Sequence, residues 1–155
     1  MSVFYDILGA VQTAIRGLSL TGVSSSNVVL LKVAAEHKKD LPDTKYPAVL
    51  VAPSASATEK VLPGTNLRND IVYPVTVWMV DNDNQSQSSN FDRDLIWRQK
   101  ILRKFQSNIS AFTSITTVFD SNTQPLTIVD APAWSKGLWI SGLIINVSSR
   151  ESRVP

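Results

Sequence analysis

The run Asp70-Ile-Val-Tyr-Pro-Val-Thr-Val-Trp-Met-Val80 is apolar on both of its alternating faces. Ile71, Tyr73, Val75, Val77 and Met79 form one set, and Val72, Pro74, Thr76, Trp78 and Val80 the other. β-Branched and aromatic side chains at period two describe a strand. Apolar character on both sides describes a central strand, or one whose second face is covered by a helix or a neighbouring subunit. Upstream, residues 59–62 and the turn Pro63-Gly64-Thr65-Asn66 supply the first arm and the bend of a hairpin whose second arm is this run. Downstream, Asp81-Asn-Asp-Asn-Gln-Ser-Gln-Ser-Ser-Asn90 is uninterrupted polar sequence and reads as a mobile loop over 81–90.

Beyond that loop, 91–107 has helical spacing, with Asn90 or Asp92 as cap, Asp92 and Asp94 early and basic residues late, as the helix dipole favours. Phe91, Leu95, Leu102 and Phe105 are its expected buried stripe, flanked by Trp97 and Ile101. At the start of the chain, Phe4, Ile7, Leu8, Val11, Ile15 and Leu18 recur at three- and four-residue intervals, Ser2 can cap, and Gly17 or Gly22 can end the helix. Residues 28–33 read as a short strand, with helix through Glu36 as the alternative, and the charged stretch 36–43 as an exposed connection. Tyr46-Pro-Ala-Val-Leu-Val-Ala-Pro53 is a strand bracketed by prolines. Strands are further expected over 114–120, 126–130 and 138–148, the last with Trp139, Leu143, Ile145 and Val147 on one face and Ser141 as the exception. Helix, strands, helix, strands without parallel βαβ repetition describes an α+β fold: a single domain over 1–155, a mostly antiparallel sheet packed by two helices.

With 155 residues, 43% hydrophobic and 18% charged, and a mean hydropathy of +0.01, the composition is that of one globular core. No apolar run approaches the ~20 residues of a membrane span, and the N-terminus lacks a secretory signal, so a soluble protein made in a cytoplasm is expected. The absence of cysteine excludes disulfides, thiolate metal sites and cysteine nucleophiles, and the single histidine excludes His-rich metal sites. The expectation is a protein that is not an enzyme and needs no cofactor or metal. A formal charge of +2 and a pI near 9.0 do not by themselves imply a nucleic-acid partner.

Several local patterns have a chemical reading beside a plain one. Asp81, Asn82, Asp83 and Asn84 offer the oxygens a calcium ion prefers, but the glycine and glutamate that complete such a loop are missing, and a solvated loop is the simpler reading. His37, in Glu-His-Lys-Lys-Asp, could act as a base beside a neighbouring carboxylate with a nucleophile from 24–26, but no nucleophile-elbow motif is present, and it reads as a solvated histidine. Pro63-Gly64-Thr65-Asn66 lacks the lysine and glycine spacing of a phosphate loop and reads as a turn. Arg93, Lys100 and Lys104, with Arg103 beside them, form one helical stripe that could face DNA phosphates or an acidic partner, the alternative being an ordinary solvated face. Trp97 and Trp134 suit an interface or the rim of a core equally. Arg150-Glu-Ser-Arg153 continues the last strand and either pairs with a neighbouring subunit or frays.

The order of an N-terminal amphipathic helix, the proline-bracketed strand 46–53, a hairpin arm Asn69-Asp-Ile-Val-Tyr-Pro-Val-Thr-Val-Trp78, a polar loop, a helix of the type Phe91-x-x-x-Leu95-x-x-Arg98 and a last strand closing on Arg150-Glu151-x-Arg153 resembles the tail-terminator and tail-completion proteins of long-tailed bacteriophages. The resemblance spans nearly the whole chain, which departs from the family in its long polar loop 81–90 and in the region 28–39, which does not match the family pattern. It implies a small α+β domain, six copies of which form a ring that caps the tail tube and joins it to a head-side connector or stopper protein. DNA passes through such a ring without sequence-specific binding, and the family has no catalytic residues. The ring would belong to the neck of a virion assembled in the host cytoplasm. On this resemblance, Arg68, Asp70, Tyr73, Trp78, Trp134, Arg150 and Arg153 are expected at a subunit or tube interface, with 53–80 reaching across it. Arg93, Lys100, Arg103 and Lys104 are expected to face the lumen or a partner. The alternatives are another neck or head–tail connector component and a nucleic-acid-binding module built on the basic stripe.

Overall fold

The computed structural model describes residues 2–32, 46–55, 57–64, 67–82, 88–130 and 137–153. Ser2 caps helix α1, Val3–Gly17, its Oγ accepting from the Tyr5 amide at 3.3 Å, and Asp6 and Arg16 sit at the ends where the helix dipole favours them. Helix α2 is Ser88–Phe105, and the strands are β1 Val28–Leu30, β2 Ala48–Pro53, β3 Lys60–Leu62, β4 Arg68–Asn82, β5 Val118–Pro125 and β6 Leu138–Ser152. The sheet order is β1-β2-β4-β6-β5, with β3 also paired to β4. Among the described residues, only β1 and β2 run parallel. The architecture is an α+β single domain with a mostly antiparallel sheet and two helices.

β4 is central, as its two apolar faces require. Along one edge it pairs with β6 from Arg68↔Ser152 to Asn82↔Leu138. Along the other it pairs with β2 over residues 75–80 and with β3 over 70–72. Pro74 falls in the gap between those two partners, where its carbonyl accepts from the Ser54 amide and its missing N–H breaks no ladder bond. Tyr73, Val75, Val77 and Met79 join Val49, Val51, Leu143, Ile145 and Val147 beneath Ile7, Val11 and Ile15 of α1 and Trp97, Ile101 and Phe105 of α2. The opposite face holds a smaller cluster of Ala48, Leu50, Val80 and Leu138, with Trp78 and Ile140 packed against it. There the Trp78 ring lies flat enough on β6 that a Cβ at Gly142 would come within 2.5 Å of it.

Four expectations need correction. β1 is shorter than 28–33 in its described part, ending at Leu30. The expected strands 114–120 and 126–130 are replaced by β5, which starts at Val118 and runs through the polar stretch to Pro125. Residues 126–130 continue alongside β6 through separate bonds, Leu126 N–H to Gly142 O, Gly142 N–H to Thr127 O and Asp130 N–H to Ile140 O. α2 starts at Ser88, so Asn90 and Asp92 lie inside it rather than capping it; of the expected loop 81–90, Asp81 and Asn82 belong to β4 and 88–90 to α2, while 83–87 lie outside the described residues. The buried stripe of α2 is rotated: Phe91 is exposed and Leu95 and Leu102 only half-buried, while Asp94, Trp97, Arg98, Ile101 and Phe105 are buried.

That rotation has a polar cause. The Arg98 guanidinium enters the protein and donates from Nη1 to Gly142 O (2.7 Å), Ser141 Oγ (2.7 Å) and Thr127 O (3.1 Å), and from Nη2 to Leu126 O (3.1 Å). Burial holds its pKa below the ordinary arginine value. Ser141, the polar exception in an apolar stripe, is therefore an acceptor for a buried cation. Arg98 thereby ties α2 to β6 and to the segment that follows β5.

Candidate assembly surface

The β4–β6 ladder is fifteen pairs long, and its outer end carries mostly polar side chains at the edge of the core. Five of the residues singled out from sequence meet there. Asp70 stands opposite Arg150, which donates to it twice, Nε to Oδ1 at 2.8 Å and Nη2 to Oδ2 at 3.0 Å. This hydrogen-bonded cation holds the Asp70 carboxyl below the usual carboxylate range and raises Arg150 in turn. Arg153 donates from Nε to Asn69 Oδ1 at 2.6 Å, and its amide bonds Leu67 O at 3.0 Å, so the C-terminal charges are pinned rather than frayed. Tyr73, buried and stacked on Phe4, donates its hydroxyl to Glu151 at 2.7 Å. Burial first, and then the Glu151 carboxylate, push the Tyr73 phenol above its ordinary pKa. Arg68 makes no ion pair among the described residues and lines an open depression of about 430 Å³ with Arg150, Thr116, Thr117, Phe119 and Ser152.

Apolar side chains surround these charges. Val61 is 63% exposed, Leu62 46%, Leu67 70% and Phe119 46%. Phe119 is carried outward by a register shift in β5 between Val118 and Asp120, which aims its ring at the Arg150 guanidinium, 5.1 Å away. Past β3, Gly64 lies close against the start of β4: a Cβ on it would lie 2.2 Å from Arg68 O. Residues of β3 are exposed throughout, and among the described residues no strand pairs with its outer edge. The other two edges of the sheet are blunted. At β1, Gln12 Nε2 and Arg16 Nη2 both donate to Val28 O. At β5, the Ser107 amide donates to Ser121 O and Gln106 Oε1 accepts from the Thr123 amide at 3.2 Å. An unblunted edge beside exposed apolar side chains is a template for another chain.

The remaining candidates lie elsewhere. Trp78 is half-buried on the second sheet face over Gly142, away from the ladder end. Trp134 and His37 lie outside the described residues, as do Asp83 and Asn84. The Asp81 carboxylate is engaged by Arg93, which also donates to Asp94 and covers the Trp97 ring at 4.7 Å. Arg93 thus braces β4 against α2, and the basic stripe is broken. Lys104 Nζ bonds Ser110 Oγ at 3.4 Å, which leaves Lys100 and Arg103 facing solvent. Sequence reasoning missed Glu151 and Asn69 as partners, because pairing requires the β4–β6 register. It also missed Phe119, whose aim depends on an irregularity in β5.

Among the described residues, no helix is long and apolar enough to cross a membrane. No family model matches the chain, and no curated protein matches its sequence.

Proposed function

We propose that this chain is a structural virion protein that assembles with copies of itself into a ring, hexameric by the resemblance, capping a phage tail tube and joining it to the head-side connector. The observation that carries the reading is the outer end of the β4–β6 ladder, where an open strand edge, four exposed large apolar side chains and a set of arginines stand together. A surface of this kind suits lateral joining of subunits through main-chain bonds and apolar contacts. The order of helix, proline-bracketed strand, long hairpin arm, second helix and closing strand supports the same reading. Its partners are other copies of the chain, the tail-tube protein and the connector or stopper protein. DNA would pass without sequence-specific contact, and the location would be the virion neck.

The test is the mass in solution by light scattering and native mass spectrometry, alone and with the tail-tube protein. A closed oligomer, in solution or only on tubes, is the expected result. A monomer under both conditions overturns the proposal.

A further inference from the structure

We infer that the exposed β3–β4 hairpin of one copy seats in the groove beside α1 of a second copy, Val61, Leu62 and Leu67 entering it while Lys60 and Arg68 face Asp6. This rests on the self-assembly reading above and names the two surfaces that would meet. The groove, about 660 Å³, runs along the outward side of α1 and is lined there by Asp6, Gly9 and Ala10, with Lys104 and Ile115 across from them.

Three observations select a second copy as its occupant. The first is charge. Among the described residues Asp6 has no ion-pair partner, and neither do Lys60 and Arg68, so the groove carries an unpaired acid and the hairpin two unpaired bases. The groove also carries the base Lys104 and the hairpin the acid Glu59, so each surface holds both signs. The second is shape, three exposed apolar side chains carried close together on the hairpin and, on another part of the chain, an open groove whose lining includes Ala10, Ala14, Ala111 and Ile115. Two different surfaces of one chain make a head-to-tail contact, which propagates into a ring when the rotation closes. The third is Gly9. Glycine in a helix interior sacrifices helix stability relative to alanine, yet a Cβ at Gly9 would meet nothing within 4 Å. The chain's own packing does not require a glycine there. In the proposed contact that open surface is where the partner's hairpin would come close to the helix backbone.

The test compares self-association of the full chain with that of Leu62→Asp, Gly9→Phe, Asp6→Lys, the pair Lys60→Glu with Arg68→Glu, and the triple charge swap, by native mass spectrometry and light scattering. Circular dichroism melts monitor folding. Leu62 is exposed and the space at Gly9 is open, so the first two variants are expected to fold and to weaken association about tenfold or more. Reversal on either side alone weakens association, and the triple swap restores it. An oligomer of undiminished stability in Leu62→Asp and Gly9→Phe, or a triple swap that restores nothing, overturns the hairpin-in-groove contact and leaves the ring reading standing. A chain that is monomeric alone and on tubes overturns both. The charge swap decides the matter even where Gly9→Phe fails to fold.

Discussion

The inner and outer halves of the β4–β6 ladder are built from the same two strands and obey different physics. In the inner half, residues 73–81 and 139–147, side chains pack beneath both helices on one face and around Trp78 on the other. In the outer half, residues 68–72 and 148–152, only Ile71 packs on the edge of that core, and cohesion comes largely from polar pairs, Asp70 with Arg150, Arg153 with Asn69 and the buried Ser149 with Thr117, while the exposed Val61, Leu62, Leu67 and Phe119 stand on the neighbouring segments. The inner half therefore sets the stability of the domain, and the outer half is available for contact without endangering it. A strand pair continued to the edge of its core is costly to order unless something else uses it.

This contrast predicts a graded series of effects. Trp97→Ala removes a fully buried ring that meets Trp139 edge-on and donates to Thr21 O, and should cost about 3–5 kcal/mol in chemical denaturation. Gly142→Ala forces the Trp78 ring to shift and should cost about 1–3 kcal/mol, with altered tryptophan fluorescence. Tyr73→Phe, at the boundary of the two halves, removes the bond to Glu151 and should cost about 1 kcal/mol. It should also change the alkaline limb. The folded Tyr73 phenol titrates above its unfolded value, so its contribution is full below pH ~10 and is lost as pH rises through the folded pKa. Wild-type stability should thus fall above pH ~10 more steeply than that of the phenylalanine variant. Asp70→Asn should have the smallest effect. Its folded carboxyl titrates below the unfolded value, so the pair stabilises above the unfolded pKa and its contribution is lost as pH falls through the folded one. A pH series of melts should show a slightly flatter acid limb in Asp70→Asn and no change at neutral pH beyond a small drop. A loss in Asp70→Asn as large as that in Trp97→Ala would break the distinction between the halves.

Legibility in the sequence followed burial. α1, β4 and β6 carry clean apolar periods, and each was readable because core packing requires that period. β5 was not, because Ser121-Asn-Thr-Gln124 is an edge strand held by side-chain bonds to the end of α2, and its polar residues mimic a loop. Apolar spacing misplaces the stripe of α2 because Asp94 and Arg98 are buried for polar reasons and leave no trace in it. Ser141 in the midst of an apolar face was the available sign of such a partner. At the ladder end, the charges of Asp70, Arg150 and Arg153 were conspicuous, while their pairing depends on a register fixed by the whole ladder.

The most direct test of the claim that the outer half serves assembly is amide hydrogen exchange of the free chain against the chain bound to tail tubes or assembled in solution. Protection should appear at residues 60–62 and increase over 68–72, with 75–80 unchanged because those amides are already buried. Unchanged exchange at 60–62 in an assembled state would contradict the account.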